Sequence, residues 1–130
     1  MYNMEKKKVL SLDEKDIRIA GLLTDLGISK STARTLIFLL QSNKECTSLE
    51  IESGSRLRQP EVSIAMQTLR EKNWAIKRDE KKEGKGRPVH FYKLTITKKN
   101  IVEELEKEKL KEIEKIKEDL EKIKSFISSS

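Results

Sequence analysis

At 130 residues, of which 35% are hydrophobic and 38% charged, the chain can bury the core of one small domain and carry an extension, but not two full cores. Its formal net charge of +6 suggests a polyanionic partner. A single cysteine, Cys46, and a single histidine, His90, exclude a disulfide framework or a Cys/His metal cluster within one chain, so no metal or other cofactor is expected.

Residues 1–10 form a basic tail. The opening "MYNMEKKKVLSLDEKD" lacks the apolar centre of a signal peptide, and no run of eighteen apolar residues follows, so a cytoplasmic protein without membrane contact is expected. Ser11 with Glu14 reads as a capping box opening a helix over 12–25, with Leu12, Ile17, Ala20 and Leu23 as its apolar positions and Gly27 beyond its end. Ser29 caps a second helix over 30–42, whose Ala33, Leu36, Ile37, Leu39 and Leu40 form a broad apolar face suited to the middle of a core. Thr47 with Glu50 is a second capping box, starting a short helix that ends near Gly54.

After a turn through Ser55, Arg56 and Leu57 comes "RLRQPEVSIAMQTLREKNW". Val62, Ala65, Met66 and Leu69 fall on one stripe at helical spacing, and Pro60 suits a first turn, where its missing N–H loses no bond. Two helices joined by a short Gly-containing turn make a helix-turn-helix. Next, "WAIKR" alternates, "DEKKEGKGRP" is a charged tip, and "VHFYKLT" is rich in β-branched and aromatic residues, which predicts a β-hairpin with a long, mobile tip. Trp74 and Phe91 are assigned to packing beneath it, and Tyr92 and His90 to its exposed side. The fold class expected is mainly α with some β, a winged helix-turn-helix over residues 11–97 followed by a long coiled-coil helix over 98–130.

In that last stretch Ile113, Ile116, Leu120, Ile123 and Ile127 recur at spacings of three and four, the a/d seam of a coiled coil. Val102, Leu105 and Leu110 keep the apolar side but not strict register, which predicts a stutter near Lys109. Such a helix cannot bury its seam alone. The partner expected is the same helix of a second subunit; folding back onto the head is the alternative.

The charge is unevenly placed. Residues 98–130 hold nine lysines and nine acids, so the whole excess lies in residues 1–97, with nineteen basic and thirteen acidic side chains. The helix carrying Pro60 has an outer face of Gln59, Pro60, Ser63, Ile64, Gln67 and Arg70, poor in acid within a chain rich in it. In a major groove Gln59 and Gln67 can pair with adenine edges, Arg58 and Arg70 with guanine or phosphate, and Ile64 with a thymine methyl. Glu61 has three readings: accepting from a cytosine, orienting Arg58, or a first-turn acid favoured by the dipole. Thr47, Ser48 and Arg56 are candidates for phosphate contacts, with plain capping the alternative for the hydroxyls. Residues 77–93 hold seven Lys or Arg against three acids, and "GKGRP" sets Lys85 and Arg87 among small residues suited to a minor groove. Lys77, Arg78 and Lys93 are expected to flank the backbone electrostatically.

No P-loop, zinc spacing, Ser/His/acid or Cys/His constellation can be assembled from these residues, so a non-enzyme is expected. The stretch from Leu23 to Lys77 resembles the amino-terminal winged helix of archaeal TrmB-like transcriptional regulators and, more broadly, the MarR superfamily. The match lies in Leu26-Gly27-Ile28-Ser29, Ala33-Arg34, Leu39-Leu40, Thr47 with Glu50-Ile51, and Leu69 with Glu71-Lys72. It covers residues 12–97. Full-length TrmB proteins continue into a sugar-sensing domain where this chain has only the charged helix, so sugar sensing is not carried over; the shape resembles the small stand-alone regulators of euryarchaea, such as archaellum-operon regulators. The resemblance implies a homodimer that sets two recognition helices in successive major grooves about 34 Å apart. Repression by blocking a promoter and activation through general transcription factors both stay open. A protein-interaction module using the same exposed helix is the rival function, and binding of structured RNA a weaker one, because an A-form major groove is too narrow for a helix.

Overall fold

The computed structural model describes residues 11–81 and 88–129. Its elements run α1 (Glu14–Asp25), α2 (Lys30–Ser42), β1 (Cys46–Thr47), α3 (Ser48–Ser55), α4 (Gln59–Glu71), β2 (Ala75–Glu80), β3 (Val89–Leu94) and α5 (Lys98–Ser128). The chain divides after Thr95 into two units, the second containing α5.

Helix α1 starts two residues later than predicted. Asp13, not Ser11, is the N-cap: its carboxylate accepts from the Asp16 N–H at 2.8 Å, and the Asp16 carboxylate accepts from the Asp13 N–H at 3.0 Å. Leu12 explains the shift. It is buried and donates its N–H to the Gly54 carbonyl at 2.9 Å, so it enters the core ahead of the helix, at the position before the cap where a hydrophobic staple places its apolar residue. Asp16 also accepts from Gln41 Nε2 at 2.6 Å, which ties α1 to α2 through a buried carboxylate that keeps its hydrogen bonds.

Helix α2 matches its predicted span and is the hub, packing against α1, α3 and α4. Ala33, Leu36, Ile37, Phe38 and Leu39 are buried on it, and Ser29 caps it by accepting from the Thr32 N–H. The Thr47–Glu50 box opens α3 as predicted, with bonds of 2.8 and 3.2 Å. Gly54 lies inside α3 rather than in the turn. A Cβ there would overlap the Phe38 ring, so the glycine permits close packing of α3 on α2. The left-handed position that ends α3 is taken by Arg56, at φ 58°.

Helix α4 buries the predicted stripe of Val62, Ala65, Met66 and Leu69. Asn73, left-handed at φ 65°, turns the chain into β2, and the buried Trp74 donates its N–H back to Leu69. Strands β2 and β3 form the hairpin, and the short β1, absent from the sequence reading, adds to it in the order β1-β3-β2, all antiparallel. Cys46 faces Tyr92 across β1 and β3, and Arg78 faces Phe91 across β2 and β3. The aromatic pair on β3 is reversed from expectation. Tyr92 is buried and Phe91 only half-buried, because β1 fixes which side of the central strand meets the helices.

Candidate nucleic-acid interface

The α3–α4 region places most of the head's predicted contacts. Thr47 and Ser48 open α3, Arg56 sits in the turn after it, and Arg58 precedes α4. The Thr47 hydroxyl accepts from the Glu50 N–H, which leaves its own proton able to donate outward. Gln59, Pro60, Ser63, Ile64, Gln67 and Arg70 are all exposed on α4, and Ile64 is 61% exposed, a large apolar side chain standing in solvent. Glu61 has a definite role: its carboxylate accepts from the Arg58 N–H at 2.9 Å and so closes the first turn of α4. Gln67 makes one long bond, from Nε2 to Glu71 at 3.4 Å, which leaves most of its donor and acceptor capacity outward.

The hairpin has two chemically distinct faces, as strand alternation requires. One carries Lys77, Asp79, His90 and Tyr92. Asp79 lies 2.7 Å from His90 Nδ1 and 3.9 Å from Lys77 Nζ. The hydrogen bond with His90 holds the Asp79 carboxyl below the usual carboxylate range, with Lys77 and Arg70 of α4 adding to the effect. Burial pushes the Tyr92 hydroxyl up. The other face carries Ile76, Arg78, Phe91 and Lys93. Arg78 is not held in readiness for a phosphate there. Its Nε and Nη2 donate to the two oxygens of Glu45 at 2.7 and 2.8 Å, its Nη1 lies 3.3 Å from Glu80, and its guanidinium sits 4.3 Å from the centre of the Phe91 ring. These bonds hold the Glu45 carboxyl low, with help from Lys93, and push the guanidinium up.

Lys85 and Arg87 lie outside the described residues. Of the predicted seam, Val102, Leu110, Ile113, Ile116, Leu120, Ile123 and Ile127 are exposed on α5, whereas Leu105 is buried. The seam reading also passed over Phe126, 77% exposed beside it. Leu49, exposed on α3, was missed as well, because an eight-residue helix offers too little periodicity to mark its outer face. Among the described residues no cluster of His, Cys, Asp and Glu could hold a metal ion, and no helix is long and apolar enough to cross a membrane. Burial raises the Cys46 thiol above its ordinary range.

Solved structures of similar fold are known. A possible transcriptional regulator from Methanosarcina mazei Go1 aligns over 84% of this chain and 86% of its own, at TM-score 0.61 and 18% identity. TrmBL2, an archaeal chromatin protein, aligns over 86% of this chain at TM-score 0.66 and 18% identity. The fold is a winged helix. The chain spans 41% of the length of TrmBL2, so the winged helix and the helix after it correspond to a part of that protein. No protein-family model matches the sequence, and no curated protein matches it either. Within the winged helix, α3 and α4 are the two helices of the helix-turn-helix and the β2–β3 hairpin is the wing.

Proposed function

We propose that the chain is a sequence-specific, double-stranded DNA-binding transcription regulator acting as a cytoplasmic homodimer, and that it is not an enzyme. The observation that carries this reading is the outer face of α4. It offers Gln59, Ser63, Gln67 and Arg70 around the exposed Ile64, and its one first-turn acid, Glu61, is taken up in capping. Such a face suits base edges, which need amides, a guanidinium and an apolar contact for thymine methyls. Thr47, Ser48, Arg56 and Arg58 bind phosphates and set the register of α4 in the major groove. Lys85 and Arg87 at the tip of the wing enter the minor groove. TrmBL2 is described with a novel mode of DNA binding, and the Methanosarcina protein as a possible regulator; both support the assignment.

Residues 1–10 serve as a basic tail, 11–97 as the DNA-binding domain, and 98–130 as the dimerisation helix. Ile113, Ile116, Leu120 and Ile123, each about half exposed, form the seam that meets a second copy, and Val102, Leu110 and Ile127 extend it. General transcription factors are partners where the regulator activates.

The test is selection of genomic fragments by the purified protein at near-physiological salt, followed by sequencing. An inverted repeat recovered upstream of one or a few genes establishes specific dimeric binding. One second reading has its own support, since exposed Ile64 and Pro60 also fit a protein-interaction module. Salt separates the two. Neutralising several phosphates makes affinity fall steeply with salt, and a largely apolar protein contact does not.

A further inference from the structure

The sequence places Arg78 among basic residues flanking the backbone, but the structure gives its guanidinium another occupation. Arg78 stands on β2, at the edge of the sheet. Its side chain crosses the ring of Phe91 on the central strand and ends on Glu45, the residue before β1 at the far edge. Both hydrogen bonds to Glu45 are short, at 2.7 and 2.8 Å, and they use two nitrogens on two oxygens, the paired geometry that gives arginine and carboxylate their directional strength. Asp79 and His90 bridge β2 and β3 within the hairpin, whereas Arg78 reaches off the hairpin to the loop that leads into α3.

That loop matters because Thr47, two residues after Glu45, is the N-cap of α3. One clamp therefore joins the wing to the start of the helix-turn-helix, across the whole width of the sheet. We infer that the Glu45–Arg78 pair, stacked on Phe91, sets the angle of the wing relative to α3 and α4, and that Arg78 is a positioning residue rather than a phosphate contact. The alternative has a different logic. If Arg78 bound phosphate, Glu45 would be a competitor that DNA must displace.

The two accounts give opposite signs for one substitution, Glu45→Gln, which keeps the volume and removes a negative charge from a basic surface. If Glu45 competes with phosphate, this variant binds DNA more tightly. If the pair is a clamp, the variant binds the selected operator more weakly, by roughly two- to fivefold, the range carried by exposed ion pairs of good geometry, with the salt slope unchanged. Arg78→Lys should weaken binding in the same way, because an ammonium cannot make the paired contact.

The inference as it bears on DNA rests on the reading of α4 and the wing given above, so a second measurement is made without DNA. Amide hydrogen exchange in the free protein should quicken across residues 75–94 in Glu45→Gln, while α2 and α4 keep their protection. Unchanged exchange in the hairpin, or tighter operator binding, overturns the clamp. Quickened exchange in a protein that binds no duplex at all keeps the clamp and sinks the DNA reading.

Discussion

Helices α4 and α5 carry apolar residues at the same spacings of three and four, yet they end in opposite states. On α4, Val62, Ala65, Met66 and Leu69 are at most 1% exposed; on α5, Ile113, Ile116, Leu120 and Ile123 are 48 to 58% exposed. Periodicity records that a helix has an apolar face, and it is silent on whether the covering surface belongs to the same chain. The outer faces differ too. That of α5 is laced with balanced pairs such as Lys115 to Asp119 at 3.0 Å and Lys109 to Glu112 at 3.1 Å, which suit solvent. That of α4 holds amides, a hydroxyl and an exposed isoleucine, which suit a partner.

The largest effect expected from this contrast is on folding. Leu69→Ala opens a cavity in the α2–α4 packing and should cost about 2–5 kcal/mol, read from the midpoint of urea unfolding. A loss below about 1 kcal/mol would mean that the α4 stripe is less closely packed than its burial implies. The matching experiment on α5 is Ile116→Lys with Leu120→Lys. The parent should sediment with the mass of two chains and the variant with that of one, its helical head intact by circular dichroism. A parent sedimenting as one chain would break the comparison from the other side and leave the seam uncovered.

What the sequence revealed follows the same division. Helices α2, α3 and α4 were legible because caps and stripes are local: Ser29, the Thr47–Glu50 box and Pro60 act within one turn. The start of α1 was misplaced by two residues because several side chains in "SLDEKD" can cap, and only the burial of Leu12 selects Asp13. Strand β1 was invisible, since two residues carry no alternation. In "VHFYKL" the alternation was legible but its phase was not: either aromatic can face inward, and the pairing of β3 with β1 decides for Tyr92. The Glu45–Arg78 pair spans 33 residues of chain, beyond the reach of any local pattern, so Arg78 read as one more basic residue of the wing.

A smaller effect separates the two outer faces directly. Gln67→Ala should cost on the order of 1–3 kcal/mol on the selected operator and little on random duplex, measured by fluorescence anisotropy. Lys117→Ala, on the solvated face of α5, should change neither. Equal losses on operator and random DNA for Gln67→Ala would remove base reading from α4 and reduce its outer face to the same solvated character as that of α5.

The smallest and most discriminating effect concerns the turn before α4, a device that α5 lacks. Arg56 occupies a left-handed position at φ 58°, where a glycine is the usual solution. Removing its Cβ relieves roughly 1–2 kcal/mol of strain, and the freer unfolded chain takes back about 0.4–1, so Arg56→Gly should raise stability by on the order of 0.5 kcal/mol. A residue kept there for backbone reasons alone would therefore be better replaced. If the guanidinium is retained for a phosphate, the same variant should bind DNA more weakly and lower the slope of log affinity on log salt by about one. Stability rising while affinity and slope fall would assign Arg56 to the interface. Stability rising with affinity unchanged would leave it a strained helix terminus, and the phosphate contacts of the turn would pass to Arg58.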